Sequence, residues 1–297
     1  MPVSHGLGSE DILVEVKVVG MNLSTGVITE KSFIGRGLGY EGSGLILEVG
    51  TAVNKLSPGD RVIMSSSGSL TTTQKLDQRL CVKILNSLSY EEGATMSVVY
   101  CTAIHCLLDI GGLRKGKLVL IHSASGGVGM AALYIARMVG AEIYATVGSE
   151  EKLQALMSVS NIPCNRIFNS RTKEFLPRLM EETNGVGVDV VLNSLSATLL
   201  VKVLLDRQRF EPNRSFVGFD HVFFYEKRPK RIESIMARAM DYYKAGFIHP
   251  ITPTRTFEAV SIVDAILHML RGRHMGKIVI NMPANSADLP AEPSRQE

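Results

Sequence analysis

The sequence predicts an α/β protein in two parts, a small β-barrel-like domain followed by a doubly wound parallel sheet. Three observations carry this. Short apolar runs punctuated by glycine and proline fill roughly the first eighty residues, the spacing of a compact all-β unit. From Lys117 onward strand and helix patterns alternate, as in a parallel sheet with helices on its faces. Between them, Val119 to Gly129 reads as a buried strand, a tight turn of small residues and the start of a helix.

In chain order, Ile12 to Val19 alternates apolar and charged residues, the mark of a half-buried antiparallel strand. Tyr40-Glu41-Gly42-Ser43-Gly44 runs into a strand ending near Gly50. Leu56-Ser57-Pro58-Gly59-Asp60 is a turn feeding a strand through Val62 and Ile63. Tyr90 to Asp109 carries Glu91 and Glu92 near its start and apolar residues at helical spacing, so helices bridge to the second part. There the pattern predicts a strand over Glu142 to Val147, a helix from Ser149 to Ser158, a short strand at Asn165 to Phe168, a helix from Lys173 to Asn184 and a buried strand from Val188 to Asn193. A strand at Ser215 to Phe219, helices over Pro229 to Ala245 and Glu258 to Leu270, and a last strand at Gly276 to Ile280 complete it. Residues 1–85 form the first domain and 86–282 the second, with parts of 86–112 and 250–282 covering the first; 283–297 is a flexible tail.

The turn at the centre reads A-x-G-x-x-G on Ala124, Gly126 and Gly129. Gly126 lets a backbone approach a pyrophosphate, Gly129 lets the helix pack on its strand, and the free N–H groups of the helix start, at Gly127 and Val128, face the anion. Folds selective for NAD carry a carboxylate at the end of the second strand, about twenty residues on. Here that strand ends as Val147-Gly148-Ser149, with Lys152 the next cation. A hydroxyl and an ammonium without a carboxylate suit a 2′-phosphate, so the expected cofactor is NADPH.

Composition narrows the classes. Of 297 residues 45% are hydrophobic and 21% charged, an ordinary globular balance, and the net charge of +3 is spread along the chain, giving no footprint for nucleic acid or a membrane. The cluster Lys227, Arg228, Lys230 and Arg231 reads as a solvated face. Cys81, Cys101, Cys106 and Cys164 lack paired spacing, which suits reduced thiols in the cytoplasm and no metal site. The N-terminus shows no apolar signal core, and no run is expected to reach the length of a membrane span.

Gly-Tyr-Glu-Gly-Ser-Gly, Pro-Gly-Asp-Arg-Val and Ser-Gly-Gly-Val-Gly, in that order, resemble the medium-chain dehydrogenase/reductase superfamily. Ile121-His122-Ser123-Ala124, Tyr144 through Ser149, Ile167 through Arg171, Gly187 through Leu195 and Met275 through Val279 are similar to the enoyl-reductase domains of highly reducing fungal polyketide synthases. The resemblance covers the chain from Ile12 to Ile280. It implies a GroES-like β-barrel that carries substrate and catalytic groups, a Rossmann-type sheet that binds NADPH, and hydride transfer to Cβ of a carrier-bound α,β-unsaturated thioester. Candidate partners are other synthase domains and a second copy of the chain. The alcohol dehydrogenases of the superfamily have a zinc-site histidine where this chain has Tyr40, so the resemblance is to the zinc-free branch.

By resemblance Ser149, Lys152 and Arg171 hold the 2′-phosphate, Asn22, Thr102 and Asn193 lie near the nicotinamide, and Lys277 joins the cofactor contacts. Asp220 matches the family's aspartate after the strand that follows, the one catalytic candidate carried over. Two features depart from the pattern. Asn22-Leu23-Ser24-Thr25 puts a hydroxyl where relatives have a carboxylate. Between Leu200 and Phe210 the chain lacks the family's Gly-Lys strand, so one sheet strand is expected to be shortened or lost after Leu200, and Lys202 sits in an apolar run that does not replace it. Three readings stay open: an active enoyl reductase, a degenerate domain with a structural role, and a zinc-free quinone reductase.

Overall fold

The structure is a computed structural model that describes residues 6–22, 38–172, 175–194 and 217–288. The expectations for Ser24 and Thr25, for the segment after Leu200, for Lys202 and for the end of the tail lie outside these residues. The chain forms two compact units, one of Met1–Val98, His221–Asp241 and Pro250–Glu297, the other of Val99–Asp220 and Tyr242–His249.

The first unit is built on strand β1 (Asp11–Gly20), whose Ile12, Val14, Val16 and Val18 point inward while Leu13, Glu15 and Lys17 are half-buried. It pairs antiparallel with β2 (Glu41–Val49), which pairs with β3 (Arg61–Ser65), and β3 with β5 (Cys81–Lys83); β4 (Thr73–Asp77) also pairs with β1. Helix α1 (Tyr90–Gly93) starts at a reciprocal cap, with Glu92 N–H donating to Ser89 Oγ and Ser89 N–H to Glu92 Oε2. Ala94, just after it, packs against Val18 and Val279.

Two strands near the C-terminus complete this sheet. β11 (Lys277–Asn281) runs antiparallel to β1, and β10 (Thr254–Glu258) runs parallel to β11. Residues 250–282 therefore belong with the first unit; the sequence assigns 86–282 to the second domain with parts of 250–282 covering the first, and the structure makes two of those strands part of the first unit's own sheet. The apolar run Ile278-Val279-Ile280 marks a strand buried on both faces, and that signal does not say which sheet receives it.

The second unit holds β6 (Leu118–Ile121), β7 (Glu142–Val147), β8 (Ile167–Asn169) and β9 (Val190–Leu192) in the order β8-β7-β6-β9, all parallel. This order has the switch point of a doubly wound sheet between β6 and β9, where ligands bind beyond the carboxyl ends of the strands. Its helices are α3 (Gly127–Val139), α4 (Glu150–Ser160) and α5 (Phe175–Glu182). Leu120, Tyr144, Phe168 and Leu179 form a core cluster. β9 differs from expectation: Val191 is 54% exposed, because among the described residues β9 is an edge strand. Of the strand expected at Ser215 to Phe219, the described part from Val217 is irregular; it leads into α6 (His221–Lys227), followed by α7 (Pro229–Lys244), which belongs to the first unit as far as Asp241.

The bridging helices are α2 (Ser97–Ala103) and a π-helical stretch, Ile104–Ile110. Contrary to expectation, Tyr90–Ile110 is long and apolar enough to cross a membrane, but 72% of that window is buried inside the protein, as a core helix would be. Helix α8 (Ile262–Leu270) ends where expected but begins four residues after Glu258, because Ala259–Ser261 forms a short 3-10 turn ahead of it.

Candidate functional site

At the carboxyl end of β6 the chain turns sharply. Ser123 adopts a left-handed backbone with φ of 52°, Gly126 N–H donates to Ser123 O at 2.9 Å, and α3 begins at Gly127. Gly126 caps the helix with an extended backbone and no side-chain hydrogen bond, so the first N–H groups, at Gly127, Val128 and Gly129, lack both a capping side chain and an intrahelical acceptor. A Cβ at Gly129 would lie 2.3 Å from Ser123 O and 2.6 Å from Ala124 Cα, so glycine alone lets the helix sit this close to its strand. A Cβ at Gly126 would meet only Ser123 O, at 3.4 Å, leaving the other side of that backbone open. The result is an uncapped helix start beside open backbone, the requirement for a pyrophosphate.

The next strand end supplies charge. Ser149 caps α4, its Oγ accepting from Lys152 N–H at 3.4 Å. Ser170 donates from its N–H and its Oγ to Val147 O, at 2.8 and 3.1 Å, and Arg171 N–H donates to Asn169 Oδ1 at 3.0 Å, which fixes the loop after β8 against the end of β7. The Arg171 side chain lies over Gly148, where an added Cβ would come 3.6 Å from its Nε. Burial, and then the Arg171 charge, push the Lys152 ammonium below its ordinary pKa. Glu150 is engaged by Gln154 at 2.9 Å. Two cations held together beside a hydroxyl, at a strand end without a carboxylate, fit a phosphate that relieves their repulsion.

Between these features lies His122, which the sequence reading assigned no role. Its N–H donates to Leu192 O at 3.0 Å, joining β6 to β9 at the switch point, and its Nδ1 lies 2.9 Å from Thr146 Oγ1. Phe175 meets the ring edge-on, with centroids 6.0 Å apart, and burial pushes the imidazole below its ordinary pKa. Asn193, half-buried, directly follows β9; Thr102 is half-buried on α2, and Asp220 is exposed just before α6. These three share the second unit with the glycine turn, whereas Asn22 and Lys277 belong to the first.

In the first unit a buried polar cluster surrounds the end of β1. Glu41 is 0% and Lys277 4% exposed, and Lys277 Nζ lies 2.5 Å from Glu41 Oε1. Lys277 Nζ also donates to Met21 O at 2.8 Å and to Asn22 Oδ1 at 3.1 Å. Asn22 Nδ2 donates to Glu41 Oε1 at 2.8 Å, while Glu41 Oε2 accepts from Val98 N–H at 2.8 Å and Ser97 Oγ at 3.1 Å. The sequence reading left Glu41 and Ser97 without roles. The available signal was a carboxylate opening a glycine-rich strand and an ammonium opening an apolar one. Tyr40 is half-buried next to Glu41, and among the described residues no group of three or more His, Cys, Asp or Glu could hold a metal.

Residues 8–110 match the alcohol dehydrogenase GroES-like domain family, and residues 127–221 the family described as zinc-binding dehydrogenase. The chain is 71% identical to the highly reducing polyketide synthase pspA of Penicillium soppii, over an alignment that takes in all of this chain and 13% of that protein. That alignment runs over 324 positions against 297 residues here, so 27 positions of the synthase have no counterpart. The solved CurK enoyl reductase superposes with a TM-score of 0.83 at 28% identity, covering 95% of this chain and 94% of that one. Escherichia coli quinone oxidoreductase, solved in complex with NADPH, shares the fold at a TM-score of 0.79 and 19% identity, covering 93% and 92%.

A GroES-like unit joined to a parallel sheet with a dinucleotide turn defines the class, a two-domain nicotinamide-type oxidoreductase. The chain belongs to the medium-chain dehydrogenase/reductase superfamily, and over its length it is similar to a segment of a highly reducing polyketide synthase and to a solved enoyl reductase.

Proposed function

We propose that this chain binds NADPH and reduces the C=C bond of an α,β-unsaturated thioester held on an acyl carrier. The observation that carries the reading is the pairing of Lys152 and Arg171 beside Ser149, at the strand end where a carboxylate would select NADH. The likeness to a polyketide synthase and to an enoyl reductase supports the substrate class. NADPH supplies hydride when bound. The chain's own groups hold its phosphates, at Gly126, Gly127, Val128 and Gly129 and at Ser149, Lys152 and Arg171. By resemblance Asn22, Thr102 and Asn193 orient the nicotinamide end and Asp220 serves the reacting centre.

In Lys152→Ala and Arg171→Ala, NADPH affinity measured by fluorescence titration falls about tenfold while NADH affinity holds, each loss corresponding to about one charge-assisted contact. An unchanged NADPH preference in both variants contradicts the phosphate site.

A second reading has its own observation. The 27 synthase positions without counterpart here favour a domain that keeps the fold and the cofactor's phosphate end but does not reduce. NADPH binding without oxidation by short enoyl thioesters would select it.

A further inference from the structure

We infer that the buried Glu41–Lys277 pair is a clamp for the Asn22 side chain, and that Lys277 serves the reaction as a positioning residue acting through Asn22. This rests on the reading above that Asn22 faces the nicotinamide end. An ammonium has three N–H donors, and Lys277 directs them to Met21 O, Asn22 Oδ1 and Glu41 Oε1. Those three contacts engage its three donors.

The same two charges fix Asn22. Its carbonyl accepts from a group that can only donate, and its NH₂ donates to a group that can only accept. A flipped amide would set carbonyl against carboxylate and NH₂ against ammonium, so the pair determines which way the amide faces. A neutral partner, such as a serine, would tolerate either orientation.

The backbone around the pair is shaped for it. Glu41 and Val279 are the cross-strand neighbours of Gly20 on its two sides, and carrying the β1–β11 register two residues further brings Asn22 opposite Lys277. A Cβ at Gly20 would lie 2.7 Å from Glu41 Cγ and 2.2 Å from Ala94 O, so glycine makes the room the carboxylate uses. Gly276 has φ of 65°, and a Cβ there would lie 1.9 Å from Pro253 O; Lys277 N–H donates to that same carbonyl at 3.1 Å. Two glycines thus place the two charges, and Ser97 Oγ and Val98 N–H saturate the second carboxylate oxygen. A buried pair with this many hydrogen bonds contributes little net stability compared with apolar residues of the same volume, and what it supplies is one fixed arrangement.

The test uses the chain with selectively ¹⁵N-labelled asparagine, the Asn22 NH₂ signal being assigned by its loss in Asn22→Asp. In the unmodified chain this NH₂ exchanges slowly and its two protons are resolved. In Lys277→Met, and in Glu41→Gln/Lys277→Met, which removes both charges and leaves no buried ion unpaired, exchange accelerates about tenfold or more. Unchanged exchange in the folded double variant overturns the clamp. With a short enoyl thioester, Lys277→Met and Asn22→Ala each lower kcat about tenfold to a hundredfold with KM for NADPH held, and the two combined lose no more than the worse single change. Additive losses overturn the route through Asn22. If the unmodified chain does not bind NADPH, the cofactor reading fails while the exchange arm still decides the clamp.

Discussion

His122 shows how one side chain registers its surroundings. Burial holds its folded-state pKa below the ordinary 6.5 of the unfolded chain, so between those two values the unfolded state binds more protons. Stability is therefore complete above the unfolded value and falls as the pH drops through the folded one. Urea midpoints at about pH 7.5 and about pH 5.5 should show this fall, and His122→Asn should reduce it. Parallel falls in both proteins would show that the imidazole is not its source. At this scale the sequence was an uneven guide. The proposed phosphate residues Ser149 and Lys152 stand out because an absent carboxylate at a known offset is itself a signal, while Arg171 comes from the family resemblance alone. Glu41 was not, because its meaning depends on Lys277, 236 residues away in sequence.

At the scale of elements, periodicity located β1, β7, α3 and α7 within a residue or two, since each has one clear face or a clean glycine boundary. It failed at Val217 to Phe219, which with Asp220 form an irregular lead into α6. It also overstated the burial of β9, since a run of valines does not reveal whether a further strand covers it. The strand–turn–helix element has a sharp requirement at Gly129. Gly129→Ala drives a methyl into Ser123 O and Ala124, backbone atoms that cannot rotate away, and should cost about 3 kcal/mol in urea unfolding together with weaker NADPH binding. Native stability and affinity in that variant would mean the helix does not need to sit so close.

For the whole molecule, the C-terminal strands do more than cover the first unit: they complete its sheet. β1 is paired with β2, β4 and β11, and β11 arrives from more than 250 residues away, so the first unit's sheet is complete only when the end of the chain has returned to it. The central amides of β1 should accordingly show the slowest hydrogen exchange in that unit, and a chain ending at His249 should lose their protection. Protection retained in the truncated chain would show that β10 and β11 are accessory. This topology was hidden from the sequence because strand signals are local and pairing is not. The function claimed for the molecule meets its most direct test in label transfer. The chain is incubated with NADPH carrying deuterium at the transferable position of the nicotinamide and a short enoyl thioester, and the product is read by mass spectrometry and NMR. The account predicts one deuterium at Cβ, with Cα protonated from solvent. NADPH bound without oxidation, or deuterium appearing anywhere other than Cβ, would contradict it.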